Sequence, residues 1–304
     1  MSLTTFVQEP AIRDFLKEHF QQPKFEVSFP AAVPAPPNSR GYSIVGTAFD
    51  YLLRFHIHQI NPSMTISRKW VAEAAYEMMQ KVPDFAEEVL LAKNLVQNAG
   101  KHYAEFQKSG AISDSLLQSC LHLAQMDIMY RTGTVARSLG FSYSRDMKDL
   151  RALVELARRQ SIFKAKNLCI LNPTFGMASH LVDGADGDLI IDDSLIDIKT
   201  TRDMKFGVNH FRQLMGYYLL SRIGGIDDAP GIEIKRLGIY YSRHGQLLSF
   251  EVEETLKETP MPRIIEKFAH MALDSRLALL SPLPSLVKPE RRQFASSSAS
   301  AMMR

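Results

Sequence analysis

Apolar residues recur at helical spacing through the first half of the chain, then shift to short continuous runs separated by turn residues. Residues 1–20 read as an amphipathic helix with Phe6, Ile12, Phe15, Leu16 and Phe20 on its buried stripe. A proline-rich stretch, 29–39, forms a connector that neither a helix nor a central strand would tolerate. The pattern predicts helices at 44–58, 67–80, 84–108 (broken near Gly100) and 112–138, punctuated by Pro62, Pro83, Gly110 and Gly140. Beyond Gly140 a helix at 149–163 buries Leu150, Leu153, Val154 and Ala157, and a strand follows at 168–171 with 180–182 as a candidate continuation. Next come an aliphatic hairpin, a helix at 205–223 with Phe211, Leu214, Met215, Tyr218 and Leu219 facing the core, strands at 236–241 and 247–252, and a last helix at 262–280. The order is helix, three strands, helix, strand. Gly224-Gly225 reads as a helix C-cap, and the Ser- and Ala-rich tail as disordered.

The hairpin carries the candidate chemistry. Strands at 189–191 and 195–198 around a two-residue turn, Asp192-Asp193, set Ile191 against Ser194, Ile190 against Leu195 and Leu189 against Ile196. Asp188 then faces Asp197, with Cβ atoms about 4.5–5.5 Å apart, a spacing at which like charges repel. Lys199 shares the face of Asp197 because strand side chains alternate. Opposed carboxylates are tolerable with a hard divalent cation between them, since such ions take oxygen ligands. Two alternatives stay open: a one-residue slip would bring Asp186 or Asp192 into the place of Asp188, and Asp186 could pair with Lys199 as an ordinary cross-strand salt bridge. The Asp-x-Lys triplet alone is uninformative, because it recurs at Asp146-Met-Lys148 and Asp203-Met-Lys205.

Composition narrows the class. The 304 residues are 45% hydrophobic and 23% charged, ordinary for a globular protein of one or two domains. A net charge of +3 is too small to attract nucleic acid in bulk, so any basic surface must be local. Cys120 and Cys169 are too few for a disulfide framework, and the histidines show no zinc spacing. With no apolar run of membrane-spanning length and no signal-peptide pattern, a cytoplasmic protein without a membrane partner is expected.

Asp188, then Asp197-Ile198-Lys199-Thr200, then a helix with Gln213-Leu-Met-Gly-Tyr217, resembles the PD-(D/E)xK nuclease superfamily, especially its RecB-like branch. The resemblance covers about a third of the chain, roughly 146–242. It implies an α/β fold with a restriction-endonuclease-like αβββαβ core at 146–280, a large helical N-terminal region at 1–145 and a tail at 281–304. It also implies hydrolysis of phosphodiester bonds in DNA, with Mg²⁺ or Mn²⁺ as cofactor. Asp188, Asp197 and the Ile198 carbonyl would hold the metal, and Lys199 would assist the attacking water. Gln213 and Tyr217, one helical turn apart on the side away from the apolar stripe, would steer nucleic acid, with His210 and Thr200 beside them; the alternative is a half-exposed helix face. Gly187 stands where the family name has proline. Glu155 matches an upstream acid that often joins the metal, although Arg151, Arg158 and Arg159 make a surface salt-bridge face an equal explanation. Gly46-Thr-Ala-Phe-Asp50 resembles the branch's Gly-x-x-x-His helix with Asp for His, so Asp50 is a further candidate ligand, or else a partner of Arg54.

Arg158, Arg159, Lys164, Lys166, Lys235 and Arg236 form a candidate phosphate-contacting surface. Two rivals to a nuclease remain: an idle member of the same fold that binds DNA or a protein, and a helical interaction protein with an incidental α/β domain.

Overall fold

Alternate residues of the strands face two different apolar layers, and that alternation organises the chain. The fold is that of a computed structural model describing residues 2–25, 32–182, 184–227, 229 and 231–280. Among the described residues six strands form one mixed sheet in sequential order: β1 (Thr65–Ile66), β2 (Cys169–Leu171), β3 (Leu189–Ile191), β4 (Ser194–Lys199), β5 (Arg236–Tyr241) and β6 (Gln246–Glu251). The pairs β1–β2 and β4–β5 are parallel and the other three antiparallel.

One face of the sheet presents Cys169, Leu171, Leu189, Ile191, Ile196 and Tyr240 to a helical layer. That layer comprises α3 (Tyr42–Ile60), α4 (Val71–Met79), α5 (Ala86–Ser109), α6 (Asp114–Thr132) and α7 (Ser144–Ala157). The other face presents Ile170, Ile190, Leu195, Leu237, Ile239 and Tyr241 to α1 (Leu3–Phe6), α2 (Pro10–His19), α8 (Val208–Gly224) and α9 (Met261–Leu280). The protein is α/β, and from α7 onward its order is helix, three strands, helix, strand. Among the described residues no helix is long and apolar enough to cross a membrane.

The hairpin has the predicted register: Ile191 pairs with Ser194, Ile190 with Leu195 and Leu189 with Ile196. Asp192 adopts φ 53, in the left-handed region that short polar residues tolerate, and its carboxylate accepts the amides of Lys166, Asn167 and Leu168. Those three bonds tie the turn to the approach of β2 and hold the register against slippage.

Several expected elements differ. The helix expected over 1–20 is two, divided before Pro10, the first residue of α2. Phe6, Ile12, Phe15, Leu16 and Phe20 are all buried. The helix expected at 112–138 ends at Thr132, where Gly133 takes φ 67 as a left-handed cap. No break occurs at Gly100, and α5 runs through it. Residues 180–182 are not a strand but the end of a 3₁₀ turn, Gly176–Val182. Packing forces that turn: Ser179 Oγ accepts from the Phe175 amide and donates to the Ala185 carbonyl. The turn also lies so close to α8 that a Cβ on Gly224 would sit 2.0 Å from the Phe175 carbonyl oxygen. The tail at 281–304 lies outside the described residues, as do residues 29–31 of the connector; 32–39 are irregular.

Helix α8 is buried on nearly all sides rather than half-exposed, because α1 covers its outer face. A Cβ on Gly216 would come within 2.9 Å of Leu3 and Val7, so glycine permits the approach. Asp149 of α7 and Arg243 at the β5–β6 turn form a fully buried bidentate pair (2.7 and 3.2 Å), and Arg243 also reaches the Ala35 carbonyl. Such a pair is valuable chiefly because breaking it strands a charge. It pins the connector against the sheet.

Candidate active site

The ends of β3 and β4 meet α3, α6 and α8 around a cleft of about 520 Å³. Each acid arrives there for a local reason. Asp188 precedes β3 and shares the face of Ile190, while Asp197 shares the face of Leu195, so both carboxylates point toward the α8 side. Asp50 comes from the opposite layer. Helix α3 crosses the end of β4 at Gly46, where a Cβ would be 3.6 Å from Thr200 Cβ; one turn later Asp50 lines the cleft. A Cβ at Gly46 would make only ordinary van der Waals contact there.

Asp188 Oδ2 accepts the Ile198 amide at 2.6 Å. In a ladder a residue's N–H and C=O point to the same side, so the Ile198 carbonyl also faces the Asp188 side. The Lys199 carbonyl points the other way and accepts from the Ser242 amide on the β5 side. Lys199 Nζ lies 2.8 Å from Asp197 Oδ2, as a charge pair rather than an aligned hydrogen bond, and donates to Gln213 Oε1 at 3.3 Å. Gln213 Nε2 in turn donates to the Tyr217 hydroxyl at 3.3 Å. Asp186, the alternative partner for Lys199, instead bridges Thr174 and is exposed.

Three carboxyl groups share this field. Desolvation, then the charges of Asp197 and Asp50, push the Asp188 pKa well above the ordinary carboxylate range. Asp197 is also raised by desolvation, against the opposing pull of Lys199. Asp50 is raised by desolvation despite its ion pair with Arg54, and its Oδ1 is buried without a hydrogen-bond partner. Of the two alternatives for Asp50, the pairing with Arg54 is present, and the residue lines the cleft as well. Burial and the repulsion of Asp188 and Asp197 raise the Tyr217 hydroxyl as well.

The sequence candidates divide. Asp50, Asp188, Asp197, Ile198, Lys199, Thr200, Gln213 and Tyr217 all line the cleft. Tyr217 is nonetheless only 8% exposed, its ring packed at 5.7 Å from Phe175 in the apolar layer, contrary to its expected place away from the apolar stripe. His210 does not line the cleft but the groove that adjoins it at Thr201, near Tyr241 and the start of α8, with its pKa lowered by desolvation and by Lys199. Glu155 is exposed on α7, away from the cleft lining, because the buried stripe of α7 carries Leu150, Leu153, Val154 and Ala157 instead. Glu155→Gln is accordingly expected to leave the melting temperature unchanged, to within about 0.5 kcal/mol in stability. The basic group at Arg158, Arg159, Lys164, Lys166, Lys235 and Arg236 does not line the cleft either, and Arg236 is engaged by Asp193 and Glu251.

Two charged lining residues are not among the sequence candidates: Asp127 and Arg131 of α6. Asp127 Oδ1 accepts the Tyr51 hydroxyl at 2.6 Å, which itself accepts the Ala72 amide. Burial raises the Asp127 pKa to about 6. The available signal was a carboxylate and an arginine one turn apart on a largely buried helix.

No known family, curated protein or solved structure matches this chain. Oxygen donors of hard character, an unpartnered buried carboxylate oxygen and repelling acids suit a divalent cation. Among the described residues, however, no three His, Cys, Asp or Glu side chains are gathered closely enough to hold one ion. Lys199 stands against Asp197, where such an ion would compete with it.

Proposed function

We propose that this protein is a metal-dependent nuclease that hydrolyses phosphodiester bonds in DNA, with a core of the PD-(D/E)xK type. The observation that carries the reading is the convergence of Asp50, Asp188, Asp197 and Lys199, from three separate chain segments, on one cleft. Bound Mg²⁺ or Mn²⁺ would supply a water of lowered pKa and offset charge building on the phosphate. Asp188, Asp197 and the Ile198 carbonyl would hold it, with Asp50 facing them across the cleft from α3. Lys199 would leave Asp197 on metal binding and turn its ammonium to the attacked phosphate and its water. Gln213 holds that ammonium from the other side and so keeps it in the cleft.

The test is cleavage of plasmid and single-stranded DNA with Mg²⁺ or Mn²⁺, with chelator and with Lys199→Ala as controls. Metal-dependent cutting that the variant lacks supports the reading. Gln213→Ala is expected to slow cleavage about tenfold at saturating DNA, as loss of a supporting contact does. Tyr217→Phe should slow it less, since the ring keeps its packing and Gln213 loses only a weak partner. Rates for these two variants equal to wild type would remove the Lys199–Gln213–Tyr217 chain from the chemistry.

A second reading has a specific observation behind it. The separation of the acids and the Lys199–Asp197 pair also suit a fold that binds DNA or a protein partner without cutting. Binding of DNA with no cleavage in either metal would favour it.

A further inference from the structure

The cleft presents four carboxylates, Asp50, Asp127, Asp188 and Asp197, against the cations Lys199 and Arg131. With a net charge of only +3, neither the cleft nor the molecule as a whole supplies the attraction a polyanion needs. That attraction must come from cations beside the cleft. They are found along the segment joining β4 to α8. Thr201, on the cleft wall, also lines a groove of about 640 Å³ carrying Arg202, Lys205 and Asn209. Lys205 in turn lines a further groove of about 470 Å³ carrying Gln22 and Lys24. Three cations, Arg202, Lys205 and Lys24, thus flank this path against the single carboxylate Asp203, all of them exposed. None of the three cations forms an ion pair among the described residues.

The segment is also held in place. Thr201 Oγ1 donates to the Asp203 carbonyl at 2.9 Å, His244 Nε2 contacts the Arg202 carbonyl at 2.8 Å, and Gln22 Nε2 donates to the Phe206 carbonyl at 3.4 Å. His244 is itself buried. Free cationic heads on a fixed backbone are the arrangement that positions a phosphate backbone without reading its sequence.

We infer that the strand being cut leaves the cleft over Thr201 and lies along this path, its phosphates held by Arg202, Lys205 and then Lys24. The inference rests on the nuclease reading and adds to it where the substrate beyond the reacting phosphate is bound. It predicts that affinity grows with strand length beyond what the cleft itself can contact.

The experiment compares single-stranded DNA of about 4 and about 16 nucleotides, lengths bracketing ordinary single-strand grooves. Binding is measured over a salt series with Ca²⁺ replacing Mg²⁺, for wild type, R202E/K205E and the neutral R202Q/K205Q. Melting curves confirm that the variants fold. The charge-reversed variant should lose roughly tenfold or more in affinity for the long strand and less than about twofold for the short one. For the long strand, the slope of log affinity against log salt should flatten by about 1.4 in R202Q/K205Q, near 0.7 per lost phosphate contact. Equal losses on both lengths, no loss on either, or an unchanged slope would overturn the inference. So would a wild type that cuts DNA yet binds both lengths alike, which leaves the nuclease reading standing. A wild type that neither cuts nor binds overturns both.

Discussion

Lys199→Ala is expected to reduce DNA cleavage roughly 100- to 1,000-fold at saturating substrate, the loss that follows removal of one fixed group aimed at developing charge. Its affinity for DNA should stay close to wild type, because one phosphate contact among several contributes little to binding. The same substitution should destabilise the metal-free protein. Asp197 is only 3% exposed, and Lys199 Nζ, at 2.8 Å, is its ion-pair partner. Without that cation the buried carboxyl is left uncompensated and is driven still further toward its protonated form. A divalent ion no longer competes with the ammonium, so the variant should gain more stability from metal than wild type does. Single-turnover rates and paired melts with and without Mg²⁺ report both effects. A variant that cuts as fast as wild type would remove the centre of the nuclease proposal.

The legible part of the site was the part carried by short-range rules. Strand alternation and a two-residue turn sufficed to oppose Asp188 and Asp197 and to set Lys199 beside them, because register in a tight hairpin is local. The helices were legible as elements, but their ends were set by caps and packing: Gly133 stops α6, and α8 begins at Val208 after the Gly207 cap rather than at 205. What failed was whatever depended on distant segments. The two-residue strand β1 exists because the Cys169 amide reaches the Met64 carbonyl, a contact no local pattern announces. The turn at 176–182 was misread because its apolar residues pack under α8, which comes later in the chain. Asp127 and Arg131 reach the cleft only through the packing of α6 on α3, and Arg243 finds Asp149 across the sheet. Asp50 was within reach of sequence only through the Gly-x-x-x-Asp spacing, which sets Gly46 and Asp50 on the same face of α3, both lining the cleft.

Asp188→Asn is expected to raise the melting temperature of the metal-free protein near neutral pH while abolishing its response to metal. The sign follows from linkage. Desolvation and neighbouring charge raise the native pKa of Asp188, and desolvation raises those of Asp197 and Asp50, above their ordinary values. Between the ordinary carboxylate pKa and these raised values the folded protein retains protons that the unfolded chain has released. Stability of the metal-free protein therefore falls as pH rises through that window. Asparagine removes one charge from the cluster, and its side-chain oxygen can still accept the Ile198 amide, so the strand ends stay joined while the repulsion is relieved. Metal acts in the opposite sense, because it must displace the same protons, and its stabilisation should grow as pH rises. At about a hundred times its dissociation constant it should add about 2.7 kcal/mol to wild type. Melts from about pH 4 to about pH 8, with and without Mg²⁺ or Mn²⁺, separate these contributions. A wild type whose melting temperature ignores millimolar metal across that range, or an Asp188→Asn variant that melts lower than wild type without metal, would show that these carboxylates are not a metal site held under repulsion.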